Sequence, residues 1–147
     1  MENDSLSIVL NSELSEVPRA AARVDAFCRA WDIPGRVTYR FNLALEEALT
    51  NVISYAFSDG RHHEIAVQIE YRHGGLVATV SDDGEPFDPL AQPPPDIHAA
   101  VEDRKIGGLG IHLLRSLMDS VEYRRADGRN RLTFRTHVGT SKPAGTT

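Results

Sequence analysis

Residues 41–57 read Phe41-Asn-Leu-Ala-Leu-Glu-Glu-Ala-Leu-Thr-Asn-Val-Ile-Ser-Tyr-Ala-Phe57, and this stretch decides the fold. Within a helix predicted over about 35–57, Val37, Phe41, Ala44, Ala48, Val52 and Ala56 recur at steps of three and four, which lines them up as one buried stripe. Leu45, Leu49 and Ile53 widen that stripe, as a helix packed beneath a sheet requires. Glu47 and Asn51 are four residues apart and share a face beside it. Ser58-Asp59-Gly60 closes the element.

Working outward, residues 5–11 alternate around Leu6, Ile8 and Leu10, the pattern of a short half-buried strand. A helix over about 16–31 follows. Ser12 and Ser15 can both cap it, and Ser15 is preferred because Pro18 then falls in the first turn, where its missing N–H leaves no bond unmade. Ile33-Pro34 ends it, since the residue before proline is pushed out of the helical region. After the central helix come two strands, Glu64 to Arg72 and Leu76 to Ser81, joined by His73-Gly74-Gly75 as a hairpin turn. Residues 84–106 hold Pro86, Pro89, Pro93, Pro94 and Pro95 among polar residues and read as an irregular, mobile lid. Gly108 to Ser120 is a helix with Ile111, Leu114, Leu117 and Met118 inward. Val121 to Arg125 and Arg131 to His137 form a last hairpin around Ala126-Asp127-Gly128, and the tail 139–147 reads as disordered. This order predicts one domain over 1–138, an α/β two-layer sandwich. Its sheet is mixed, mainly antiparallel, with about five strands and three helices on one face.

Composition narrows the function classes. A chain of 147 residues holds one domain with a proper core. Its 41% apolar and 25% charged residues are ordinary for a soluble globular protein. A formal charge of −5 gives no electrostatic reason to expect nucleic acid or an anionic membrane as partner. The single Cys28 excludes an internal disulfide and a multi-cysteine metal site, and its apolar neighbours make it a core filler. Met1-Glu2-Asn3-Asp4 is acidic and no apolar run approaches the roughly 20 residues of a membrane span, so a cytoplasmic protein is expected. His62-His63 adjoins a turn, and adjacent residues point apart on a strand, which argues against a histidine metal centre.

Three short segments can carry chemistry. Magnesium takes oxygen ligands and keeps waters, so the Asn51 carboxamide with a nucleotide's phosphates makes a plausible shell. Glu47, one helical turn earlier, can accept the proton of an incoming hydroxyl. In Asp82-Asp83-Gly84 an ionised carboxylate at a strand end can accept a hydrogen bond from the exocyclic amine of adenine, and glycine lets the backbone approach the ring. Gly107-Gly108-Leu109-Gly110 opens a helix, where free N–H groups and the dipole bind phosphate oxygens, with Arg104 and Lys105 just before it. Taken singly, each is also what a solvated helix face, an Asp/Gly turn or a flexible hinge looks like. No Gly-Lys-Ser/Thr of the Walker type occurs.

In this order and on these elements, the three segments resemble the nucleotide-binding boxes of the GHKL ATPase/kinase superfamily. Residues 41–57 resemble its N box and residues 80–89 (Val-Ser-Asp-Asp-Gly-Glu-Pro-Phe-Asp-Pro) its first glycine box. Residues 106–123 resemble the second glycine box and the helix after it. Glu47 narrows the resemblance to serine kinases that act as anti-sigma factors. Spanning residues 5–138, the resemblance implies a Bergerat-type ATP-binding fold, with ATP and Mg2+ as cofactors. It makes Asn51 the metal ligand and Glu47 the general base. Asp82 would read the adenine amine with Gly84 beneath the ring, and Thr133 would help Asp82. Lys105, Gly107, Gly108, Leu109 and Gly110 would hold the phosphates. It further implies a STAS-fold anti-anti-sigma protein as substrate, a sigma factor as second partner, and a homodimer. Tyr55 departs from a frequent histidine, Val52 from a frequent alanine, and Pro86-Phe87 replaces a second glycine. The 40 residues before the N box leave no room for the phosphoacceptor hairpin of a full histidine kinase. A nucleotide-binding module that sequesters a partner without phosphorylating it, and a standalone ATPase, are the alternatives.

Overall fold

The computed structural model describes residues 4–91 and 108–139 of the chain. Five strands form one sheet: β1 (Ser5–Asn11), β2 (Glu64–Arg72), β3 (Gly75–Asp82), β4 (Ser120–Ala126) and β5 (Arg129–His137). Their spatial order is β1-β2-β3-β5-β4, and every pairing is antiparallel. The parallel pair that a mixed sheet would contain is therefore absent among the described residues. Hairpins make two of the four pairings, β2 with β3 and β4 with β5. His73 and Gly74 turn with φ of 51° and 73°, and Asp127 and Gly128 with 55° and 74°. Two successive positive φ angles give the tight turn whose twist matches that of the strands it joins.

Alternation along the strands divides the sheet into two unlike faces. Ile8 and Leu10, Ile65 to Ile69 by twos, Leu76 to Val80 by twos, and Leu132 and Phe134 are buried on the inner face. Register sets them side by side, with Ile65 opposite Asp82, Val80 opposite Leu132, and Ala78 opposite Phe134. The outer face carries Ser7, Gln68, Thr79, Arg131 and Thr133, all partly or fully exposed.

Three helices cover the inner face: α1 (Val17–Ala30), α2 (Gly35–Tyr55) and α3 (Gly108–Leu117). The predicted stripe on α2 is buried as expected from Val37 to Ala56, with Leu45 and Leu49 beside it and Ile53 half-buried. Phe41 of α2 meets Phe134 of β5 with ring centroids 5.4 Å apart. Full burial of one such ring is worth about 1.5–3 kcal/mol. From α3, Leu114 and Met118 complete the core. The start of α1 differs from expectation. Ser15 lies in a short 3-10 turn (Leu14–Glu16), and no side chain caps the helix. Instead the Glu16 carboxylate accepts from the Asn11 backbone N–H at 2.9 Å and pairs with Arg19 at 3.2 Å. Pro18 does fall in the first turn. Cys28 is fully buried, and burial pushes its thiol up, as befits an inert filler. No helix among the described residues is long and apolar enough to cross a membrane.

Candidate functional site

β3 places Asp82 by simple alternation. Leu76, Ala78 and Val80 face the helices, so Asp82 does too, and it is only 1% exposed. Its Oδ1 accepts two hydrogen bonds, from the Gly84 N–H at 2.8 Å and from Asn130 Nδ2 at 2.9 Å. Its Oδ2 is buried with no hydrogen-bond partner among the described residues. Burial pushes the Asp82 carboxyl above its usual range, against the bonds from Asn130 and Gly84 and the charge of Arg129. A buried acceptor left bare costs about 1–3 kcal/mol, so such an atom points to a missing donor.

The turn after Asp82 is pressed onto the end of α2. A Cβ on Gly84 would lie 2.3 Å from the Ala56 carbonyl oxygen, which already accepts from the Glu85 N–H at 2.8 Å. Glycine is required here because the helix end fills the space, a different reason from the ring contact expected of it. Arg125 Nη1 donates to the Gly84 carbonyl at 2.7 Å, and Ser58 pairs with Glu85. His63 links the turn to the loop after α2, with Nδ1 3.0 Å from Asp83 and Nε2 2.8 Å from Asp59. Its ring stacks on Phe57 at 4.4 Å.

Asn130 had not been singled out in the sequence, yet it is 4% exposed and uses both ends of its amide. Besides Asp82, Nδ2 donates to the Glu85 carbonyl at 2.7 Å. Oδ1 accepts from the Phe87 N–H at 3.1 Å and from the Tyr123 hydroxyl at 2.6 Å. Phe87 in turn stacks on Tyr55 of α2, with centroids 5.5 Å apart, and Arg115 of α3 donates to the Leu90 carbonyl at 3.0 Å. Residues 84–91, the first part of the segment 84–106 expected to be a mobile lid, are thus fastened to α2, β4, β5 and α3. The rest of that segment, with Arg104 and Lys105, lies outside the described residues, as do Gly107 and the tail from residue 140.

Thr133 is not brought to Asp82. It pairs with Thr79 on the outer face, their hydroxyls 3.5 Å apart, while Asp82 and its cross-strand partner Asn130 face inward. The strand threonine expected to assist Asp82 is on the wrong side of the sheet, and Asn130 makes that contact. A signal for it existed. Asn130, Leu132 and Phe134 share one parity along β5, and the two apolar residues fix that parity as inward.

Along α2, Asn51 is 3% exposed and its Nδ2 has no partner among the described residues. Glu47, one turn earlier, is half-buried. Burial, and then the charge of Glu46, hold its carboxyl above the usual range. Gly108, Leu109 and Gly110 form the first turn of α3, whose backbone N–H groups lack intrahelical acceptors. Helix α3 packs beside α2, and Arg40 of α2 donates to the Leu117 carbonyl at 3.3 Å. Bare polar atoms thus stand on β3 and α2, which pack together, and a helix start stands on α3, which packs on α2.

Residues 10–136 match the family of histidine kinase-like ATPase domains. The chain belongs to that family. Among its relatives is the serine/threonine-protein kinase BtrW of Bordetella bronchiseptica, 30% identical over 102 residues, which are 69% of this chain and 72% of that one. The serine-protein kinase RsbW of Listeria monocytogenes is 36% identical over 84 residues, 54% of each chain. RsbW of Bacillus subtilis is 29% identical over 91 residues, 58% of this chain and 56% of that one. The chain thus spans little more than half the length of the RsbW proteins it matches. Among solved structures, the RsbU and RsbW domains of Rv1364c from Mycobacterium tuberculosis align with a TM-score of 0.64 at 12% identity, covering 92% of this chain and 32% of that one. The histidine kinase domain of the Erythrobacter litoralis EL346 blue-light activated histidine kinase aligns at 0.50 and 17% identity, covering 85% and 60%. These two likenesses bear on the fold, and they agree with the sheet-and-three-helix sandwich of this ATPase-family domain.

Proposed function

We propose that this histidine kinase-like ATPase domain is an ATP-dependent protein serine/threonine kinase acting as an anti-sigma switch, with a STAS-type anti-anti-sigma protein as its substrate. The observation that carries the nucleotide reading is the pair of buried, unpartnered polar atoms, Asp82 Oδ2 and Asn51 Nδ2. Relatives named as serine kinases, at 30–36% identity, support the reaction class. The reading extends to a sigma factor as second partner, a homodimer and a cytoplasmic setting, with residues 1–138 as one domain.

In this reading Asp82 Oδ2 accepts from the exocyclic amine of adenine, and the first turn of α3 with Lys105 and Gly107 holds phosphate oxygens. The unpartnered atom of Asn51 is a nitrogen, which suits a phosphate oxygen; a half-turn of the amide presents its oxygen to a cation instead. Among the described residues no three His, Cys, Asp or Glu side chains gather into a metal cage. Magnesium would therefore be held by Asn51 together with phosphates and water, and would supply charge neutralisation at the transferring phosphoryl group. Glu47 takes the proton from the attacking seryl or threonyl Oγ. A carboxylate that binds protons more readily than usual is suited to that step.

Glu47→Ala tests the assignment. Phosphotransfer from ATP to a STAS-domain protein should fall by about 100-fold or more, while ADP affinity stays at the wild-type value. Full activity in the variant would remove Glu47 from its role. A wild type that binds ADP and the partner but transfers no phosphate would make the domain a sequestering module.

A further inference from the structure

Asn130 uses its whole amide in hydrogen bonds, and none of the boxes quoted above contains it. Four partners converge on its amide. Two are acceptors facing Nδ2, Asp82 Oδ1 and the Glu85 carbonyl. The other two, the Phe87 N–H and the Tyr123 hydroxyl, are donors facing Oδ1. Turning the amide over would set donor against donor and acceptor against acceptor, so its orientation is fixed from outside.

That orientation fixes Oδ1 of Asp82 as an acceptor and, through a hydrogen bond to the charged form, favours the carboxylate. An amide N–H can only donate, and so can the Gly84 N–H, so both fall on Oδ1 and both require it to be an acceptor. Oδ2 is left buried and bare. A proton added to Asp82 would go to Oδ2 and turn that atom from acceptor into donor. An acceptor there matches an exocyclic amine, as on adenine; a donor matches an exocyclic oxo group, as on guanine.

We propose that Asn130, braced by Tyr123, is the positioning residue that holds Asp82 as an acceptor and so makes the turn select a purine with a 6-amino group over one with a 6-oxo group. The inference rests on the nucleotide reading above and adds to it a residue and a basis for selectivity. The charged and titratable groups around Asp82 are few. Asp83, Glu85 and Asp88 follow it on the turn, Arg129 stands on β5, and Arg125 and Tyr123 stand on β4. His63 reaches it through Asp83, and α2 meets the turn through Ala56 and through Tyr55, whose ring stacks on Phe87. Against burial, which favours the protonated acid, the two hydrogen bonds on Oδ1 and Arg129 favour the carboxylate.

The test is binding of fluorescent ADP and GDP analogues to the whole chain between pH 5 and 8, for wild type, Asn130→Ala and Tyr123→Phe. Wild type should prefer ADP and lose affinity towards the acid end. In Asn130→Ala, ADP affinity should fall about 30-fold, as for a buried hydrogen bond to a charged group. The acid loss should move to higher pH, and the ADP-to-GDP preference should narrow. Tyr123→Phe should move all three in the same direction, with about a fivefold loss of ADP affinity. If Asn130→Ala does not fold, the tyrosine variant decides. Variants that keep the wild-type pH profile and ADP-to-GDP ratio, even with uniformly weaker binding, overturn the proposal and leave the nucleotide reading standing. A wild type that binds neither analogue overturns both.

Discussion

Asn130 and Thr133 lie three residues apart on β5 and face opposite sides of the sheet. Both are polar and both pair across to β3, Asn130 with Asp82 and Thr133 with Thr79. Asn130 is buried under the helices with its amide fully used, whereas Thr133 is half-exposed and touches its neighbour at 3.5 Å. The difference is one of parity. In a strand an odd offset crosses the sheet, so a polar residue near a site in sequence can be remote from it in space. The inner face holds polar atoms in a strict geometry; the outer face leaves them to solvent.

Breaking that contrast should have graded effects. The largest belongs to Gly84, wedged against the backbone of α2. Gly84→Ala should lower the unfolding free energy by about 2–3 kcal/mol in urea titrations, because a backbone oxygen has nowhere to move. A loss under about 0.5 kcal/mol would mean that the turn and the helix end are only loosely joined.

A smaller, pH-dependent effect belongs to His63. Asp59 and then Asp83 raise its pKa above 6.5, and the Arg61 N–H and then His63 lower that of Asp59 below 3.8. With the histidine pKa raised, its contribution is full below the unfolded value and lost as pH rises through the folded one. The aspartate contribution is present above its unfolded value and lost as pH falls through the folded one. Thermal melts of His63→Phe, which keeps the stack on Phe57, should therefore fall below wild type most clearly between about pH 4.5 and 6 and converge towards it above pH 8. A gap that is constant with pH would show that the carboxylate bonds contribute nothing. Smallest of all is Thr133→Val, expected to shift stability by less than about 0.5 kcal/mol and to leave ADP affinity untouched. A tenfold loss of ADP binding would return Thr133 to the site.

These contrasts also show what could be read before the fold was known. The α2 stripe was legible because helical spacing needs only the residues of one segment. The hairpin turns were legible because His73-Gly74 and Asp127-Gly128 carry their own backbone preference. Glu47, Asn51 and Asp82 became candidates through the order of short motifs. What escaped depended on partners distant in sequence. Glu16 displaces Ser15 at the start of α1 because Asn11 and Arg19 bring it a donor from each side. Residues 84–91 look irregular as a string, yet Tyr55, Arg115 and Asn130 tie them down. Asn130 itself, next to a turn, reads as a turn residue until its strand parity is counted.

The wedge of Gly84 on Ala56 gives α2 the character of a ruler. The helix touches the turn that carries Asp82 at one end, and Asn51 and Glu47 sit five and nine residues back from that contact. At 1.5 Å per residue those marks stand about 7.5 Å and 13.5 Å along the axis. No loop intervenes to stretch or slacken the scale. In the kinase reading proposed above, a nucleotide seated at Asp82 is gauged by its length, and one that stops short of the last mark brings no phosphoryl group to the hydroxyl that Glu47 would deprotonate.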